Sequence, residues 1–291
     1  MFRGSIPALV TPFRDEAFDE DAFRAFVEWQ IAEGSHGLVP CGTTGESATL
    51  TAEEHAQVVR ACVEQAAGGV KVVAGCGSNS TRVAIDYMKA AEQAGADAAL
   101  VVLPYYNRPN QDGIVAHFTA LADASPLPIV VYNVPSRTVT DVLPETLGRL
   151  AKIRTVVGIK DASGDLSRVS AHRRLCGEDF VQLSGNDDMA LGFLGMGGAG
   201  TISVTANVAP RLFADFHNAF LSGDLPKAMA LQDRLFPLHK ALFTDASPGP
   251  VKYALSRVRS GFSAELRLPM TPPSETSRKA VDAALEHAGL V

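Results

Sequence analysis

The sequence predicts an α/β fold, a (β/α)8 TIM barrel with a C-terminal helical appendage. Short apolar, β-branched runs recur eight times, helical stretches fill the gaps between them, and 291 residues accommodate a barrel of roughly 250 residues with an added segment. Eight βα units close a barrel more naturally than they extend an open sheet.

In chain order the runs lie at 5–12, 37–42, 71–77, 98–105, 128–134, 155–162, 180–186 and 200–206. Their alternation with helices implies parallel strands. After the second run, Thr51-Ala-Glu-Glu54 is a capping box that starts a helix. After the fifth and the eighth, Pro144 and Pro210 read as first-turn prolines, where the missing N–H costs nothing. Met189 to Pro210 carries no charge and is long enough to cross a bilayer, but five glycines interrupt it and Thr201, Ser203, Thr205 and Asn207 alternate with apolar residues. That pattern is a helix end, a glycine turn and a strand. Beyond Gly223 the pattern is helical, near 224–242, 249–258 and 275–288, so the expected division is a catalytic barrel over 1–223 and a helical region over 224–291.

Composition narrows the function classes. A net charge of −6, from 26 basic and 32 acidic residues without a block of like charge, offers no footprint for nucleic acid or an anionic membrane. Cys41, Cys62, Cys76 and Cys176 show no C-x-x-C spacing, and the first residues lack the apolar stretch of a signal peptide; the expected compartment is a reducing cytoplasm. The seven histidines are scattered and no cluster offers three or four ligands, so neither metal nor cofactor is expected. Gly195-Met-Gly197-Gly-Ala-Gly200 spells the dinucleotide fingerprint, but a helix precedes it and a strand follows, the reverse of the required order.

Barrel enzymes work at the C-terminal ends of their strands, and those ends are polar and glycine-rich here. Thr155-Val-Val-Gly-Ile-Lys160 is an apolar strand with a cation at its tip. Such a lysine is either ion-paired, with Asp161 as the neighbouring candidate, or a buried amine able to form a Schiff base with a keto acid. The loop from Gly42 to Ser47 exposes backbone N–H groups that can hold a carboxylate, or is simply a tight turn. Tyr132 fits core packing and proton relay about equally well. Arg137 is either solvated or a planar fork for a substrate carboxylate.

Taken together, Gly42-Thr-Thr-Gly-Glu-Ser-Ala-Thr49, Pro104-Tyr-Tyr-Asn-Arg-Pro109, Tyr132-Asn-Val-Pro-Ser-Arg-Thr138 and Gly158-Ile-Lys-Asp-Ala162 resemble the dihydrodipicolinate synthase family, pyruvate-dependent lyases and aldolases related to N-acetylneuraminate lyase. The resemblance runs from Gly4 to Pro272, and the arginine-bearing third segment is what favours a synthase over a sugar-acid aldolase. It implies an imine between Lys160 and pyruvate, the pyruvate carboxylate on the backbone of Thr43 and Thr44, and a proton relay of Tyr132, Thr43 and Tyr106, the last reaching in from a neighbouring subunit of a homotetramer. It further assigns Arg137 to the carboxylate of aspartate 4-semialdehyde, and Gly185 and Ile202 to substrate binding. Ser47, Ala48, His55, Asn79 and Tyr105 match the lysine effector site of inhibited relatives. Val83 and Ala52 stand where those relatives carry an acid and often a histidine, which puts feedback inhibition in doubt. A catalytically silent barrel is disfavoured, since it would have no need of an intact relay.

Overall fold

The computed structural model describes residues 2–291. Eight parallel strands form the barrel: β1 (Gly4–Pro7), β2 (Gly37–Leu38), β3 (Lys71–Gly75), β4 (Ala98–Val102), β5 (Ile129–Asn133), β6 (Val156–Asp161), β7 (Val181–Ser184) and β8 (Gly200–Ser203). Each pairs with its neighbours in sequence, and β1 pairs with β8. The ring closes between β1 and β2, where the Val39 amide donates to Pro7 (3.0 Å) and the Leu9 amide to Val39 (2.9 Å).

The eight outer helices are α1 (Glu20–Ala32), α2 (Ala52–Ala66), α3 (Thr81–Ala94), α4 (Gln111–Ala124), α5 (Pro144–Leu150), α6 (Ser167–Cys176), α7 (Ala190–Gly195) and α8 (Pro210–Leu221). Three more follow: α9 (Leu225–Ala241), α10 (Gly249–Val258) and α11 (Glu275–Ala288). The capping box at Thr51 is present, with its hydroxyl accepting from the Glu54 amide and the Glu54 carboxylate from the Thr51 amide. Pro144 and Pro210 occupy the first helical turn as expected.

Because strand side chains alternate, the barrel separates two cores. Ile6, Val39, Leu100, Val130, Leu183 and Ile202 fill the interior, while Val131, Ile159 and their outward neighbours pack beneath the helices. Tyr132 and Lys160 share a pairing position on β5 and β6. Tyr132 shares the inward face of β5 with Val130, at the end of the interior core where the strands finish.

Several strands stop short of the apolar runs that announce them. The first run extends to residue 12, yet β1 ends at Pro7; beyond it the Ala8 amide donates to Ser203 and the Val10 amide to the Asn207 side chain, so the chain stays paired without continuing one ladder. The fourth run loses ladder geometry before Pro104, which has no N–H to offer. A hairpin of Phe13–Arg14 with Ala17–Phe18 was not anticipated. Its turn residues Asp15 and Glu16 both have positive φ (52° and 64°) without being glycine or asparagine, and the Glu265 carboxylate accepts from both of their amides.

Candidate active site

At the C-terminal mouth of the barrel lies a cavity of about 460 Å3. Thr43, Thr44, Tyr132, Arg137, Lys160 and Gly185 all line it, although they come from four separate stretches of sequence. Lys160 is 6% exposed and its ammonium nitrogen sits 4.1 Å from the centre of the Tyr132 ring. Asp161 turns to the opposite face, as alternation requires, and its carboxylate accepts from the Ser163 amide at 2.7 Å. Among the described residues Lys160 has no ion-pair partner: its nitrogen meets an aromatic face inside the cavity, and the neighbouring carboxylate is engaged elsewhere.

Gly185, at the end of β7, is required by this approach. A Cβ there would stand 2.7 Å from the Ala162 Cβ and 3.1 Å from the Lys160 Cε. The glycine lets the lysine stem lie against the backbone of the adjacent strand.

The Gly42–Ser47 loop is held from several sides. Gly45 donates to Gly42, Glu46 donates to Thr43, and the Thr11 hydroxyl donates to the Gly45 carbonyl at 2.7 Å. Only a glycine fits at 45, because a Cβ would lie 2.9 Å from the Leu9 carbonyl oxygen. Glu46 adopts φ 53° and its carboxylate is buried against Lys252 of α10, an ion pair whose side chains are 2% and 0% exposed. Thr44 is buried while Thr43 is exposed toward the cavity.

Arg137 sits in a single helical turn, Pro135–Thr138, that leaves β5 directly. Thr138 ties this turn down through its hydroxyl, which donates to Val134 and Thr140, leaving the arginine exposed at the rim. Part of the cavity wall comes from beyond the barrel: His239 and Lys240 of α9, then Phe243 and Ser247. Lys240 pairs with Asp188 at 3.2 Å, and His239 shares a 2.8 Å hydrogen bond with Thr205. Sequence reasoning did not anticipate this wall, because the stretch near 224–242 reads only as a helix of the appendage and nothing local ties it to the mouth.

Two expected site residues lie apart from the cavity. Ile202 is 1% exposed in the interior core, with its side chain packed below the mouth. Tyr106 is 92% exposed, with φ 72°, and projects away from its own chain.

A second cavity, of about 400 Å3, lies beside the first and shares Thr43, Val134, Arg137 and Ser247 with it. Ser47, Ala48, His55 and Tyr105 line it, whereas Asn79 does not; the Asn79 carbonyl instead accepts from the Asn107 side chain at 2.8 Å. His55 stacks on Tyr87 at 4.1 Å between ring centres and donates from Nε2 to the Gly75 carbonyl at 2.7 Å. Burial lowers its pKa, which keeps the ring neutral. Val83 and Ala52 are exposed on α3 and α2. Among the described residues, no group of three or more His, Cys, Asp or Glu side chains is arranged to hold a metal ion, and no helix is long and apolar enough to cross a membrane.

A model of the dihydrodipicolinate synthetase family matches residues 1–288. The 4-hydroxy-tetrahydrodipicolinate synthase of Rhizorhabdus wittichii is 72% identical over 290 residues, covering 100% of both chains. Among solved structures, the chloride-inhibited dihydrodipicolinate synthase from Acinetobacter baumannii complexed with pyruvate superposes with a TM-score of 0.97 at 41% identity, covering 100% of both chains. The Cyanidioschyzon merolae enzyme with lysine bound gives 0.95 at 37% identity, covering 100% of this chain and 99% of that one.

Proposed function

This chain belongs to the dihydrodipicolinate synthetase family, and from that premise we propose that it condenses pyruvate with L-aspartate 4-semialdehyde to 4-hydroxy-tetrahydrodipicolinate, on the route to diaminopimelate and lysine. The observation that carries the reading is the Lys160 amine, buried over Tyr132 in the same cavity as the Thr43-Thr44 loop and Arg137.

The Lys160 nitrogen attacks the keto carbon of pyruvate and water leaves, giving an imine. Backbone N–H groups at Thr43 and Thr44 hold the pyruvate carboxylate, which orients the methyl group for loss of a proton. The resulting enamine carbon attacks the aldehyde of the second substrate, whose carboxylate is gripped by Arg137 in a charge-assisted, two-pronged contact. The amine of that substrate then attacks the imine carbon, closes the ring and displaces Lys160 as a free amine.

Protons move through Tyr132, Thr43 and Tyr106. A phenol needs hydrogen-bonded company to release and recover a proton near neutrality, and Tyr132 stands next to the imine nitrogen. Tyr106 is too exposed to serve its own cavity; we take it to complete the relay of a neighbouring subunit in a homotetramer. The second cavity, with Ser47, Ala48, His55 and Tyr105, is the proposed effector site. The reading is tested by a coupled assay with pyruvate and aspartate 4-semialdehyde. Consumption of both substrates one for one is expected, and turnover of pyruvate with a sugar-derived aldehyde in preference would overturn it.

A further inference from the structure

Glu46 and Lys252 form a fully buried ion pair, 206 positions apart in sequence, that no catalytic step above uses. The pair belongs to a larger strap. Lys252 also donates to the Glu265 carbonyl at 2.7 Å, and the second oxygen of Glu46 accepts from the Arg267 amide at 3.1 Å. The Arg267 guanidinium reaches Glu54 at the start of α2 (2.8 Å) and the Thr49 carbonyl (3.0 Å). Phe13 lies between the two cations, with its ring centre 4.3 Å from the Lys252 nitrogen and 4.2 Å from the Arg267 guanidinium carbon. Two remote segments, one carrying Lys252 and the other Arg267, therefore converge on the residue two positions after Thr44.

A buried ion pair is an expensive way to gain stability, because desolvation offsets most of the attraction; apolar side chains of similar volume commonly do as well or better. What a pair of charges supplies, and an apolar pair does not, is a fixed distance and direction. Glu46 also sits at positive φ in the loop that carries Thr43 and Thr44, so any slack at its carboxylate passes directly into the backbone N–H groups of that loop.

We infer that Glu46 and Lys252 are positioning residues for the pyruvate site, holding the Thr43-Thr44 amides at the spot where a carboxylate must lie for its keto carbon to meet Lys160. This rests on the imine reading above. The pair touches no substrate; it acts through the loop.

The test replaces the pair with apolar side chains, Glu46→Leu together with Lys252→Met, in the full-length protein. Thermal melting is measured beside two functional readouts: the pyruvate concentration that half-saturates borohydride trapping at Lys160, and KM for aspartate 4-semialdehyde. The expected result is melting near the wild-type temperature, with the half-saturating pyruvate concentration raised about tenfold and KM for the aldehyde unchanged. A folded double variant with wild-type pyruvate dependence would overturn the inference, since a merely structural pair predicts that outcome. Should the double variant not fold, Glu46→Gln together with Lys252→Gln, which removes both charges and leaves two groups able to hydrogen-bond each other, decides on the same pyruvate readout. Absence of trapping in the wild type would instead sink the imine reading itself, and with it this inference.

Discussion

Lys160 and Gly185 define each other. The lysine stem needs the space that a Cβ at 185 would take, and the glycine exposes backbone that the stem then covers. Arg137 is the third point of the cavity, exposed at its rim, and the proposed reaction assigns it to the second substrate alone. Arg137→Ala is expected to lower kcat/KM for aspartate 4-semialdehyde about tenfold or more, the loss of one charge-assisted contact, while pyruvate trapping stays at the wild-type level. Steady-state kinetics beside a trapping assay checks this; equal loss in both would place Arg137 in the pyruvate site or in the fold. These residues were legible in the sequence because each sits within a few positions of a strand end, where local pattern and barrel architecture together say which way the chain faces. Lys252, Glu265 and His239 were not, because their partners lie 206, 250 and 34 positions away and local periodicity carries no information about such pairs.

Among the elements, the eight strands and the helices between them follow from apolar periodicity, and α10 and α11 have the expected bounds of 249–258 and 275–288. Apolar runs overestimate strand length for a physical reason: burial continues past the point where ladder hydrogen bonds pass to side chains, as at Val10 with Asn207. The hairpin at 13–18 was invisible because its left-handed turn residues are Asp15 and Glu16, made tolerable by a carboxylate from the far end of the chain. Between α2, α3 and the β2 loop lies the second cavity; Val83 is exposed on α3 outside its lining, and by the family resemblance it stands where inhibited relatives carry an acid. Lysine is therefore expected to inhibit weakly, by about tenfold or more in affinity relative to a pocket that pairs its ammonium with an acid. A lysine titration of initial rates checks this, with Val83→Glu expected to gain sensitivity. Half-inhibition of the wild type well below millimolar lysine would show that the acid is dispensable.

Taken as one body, the molecule buries several histidines in neutral form. Burial pushes His217 down to about 3 and His117 down to about 4, and lowers His55, His172 and His239 as well. The unfolded chain takes up these protons near the ordinary value of 6.5 while the folded chain does not. Stability is thus fully present above that pH and is lost as the pH falls from it toward each folded value, at about 1.4 kcal/mol per pH unit for each such histidine. Urea midpoints should therefore be level near neutrality and fall between about pH 6.5 and about pH 4. His217→Phe, which replaces a ring already packed 5.0 Å from Phe213 and 4.8 Å from Phe216, should flatten part of that fall. An unchanged midpoint across this range would mean that the histidines accept protons without unfolding.

The barrel as a whole exists, on this account, to present one amine. The measurement that tests it most directly is borohydride reduction in the presence of pyruvate, followed by peptide mass mapping. Irreversible inactivation with a reduced pyruvyl group on Lys160, and no such adduct in Lys160→Ala, is the predicted result. An adduct elsewhere with Lys160 unmodified, or full activity in Lys160→Ala, would contradict the mechanism.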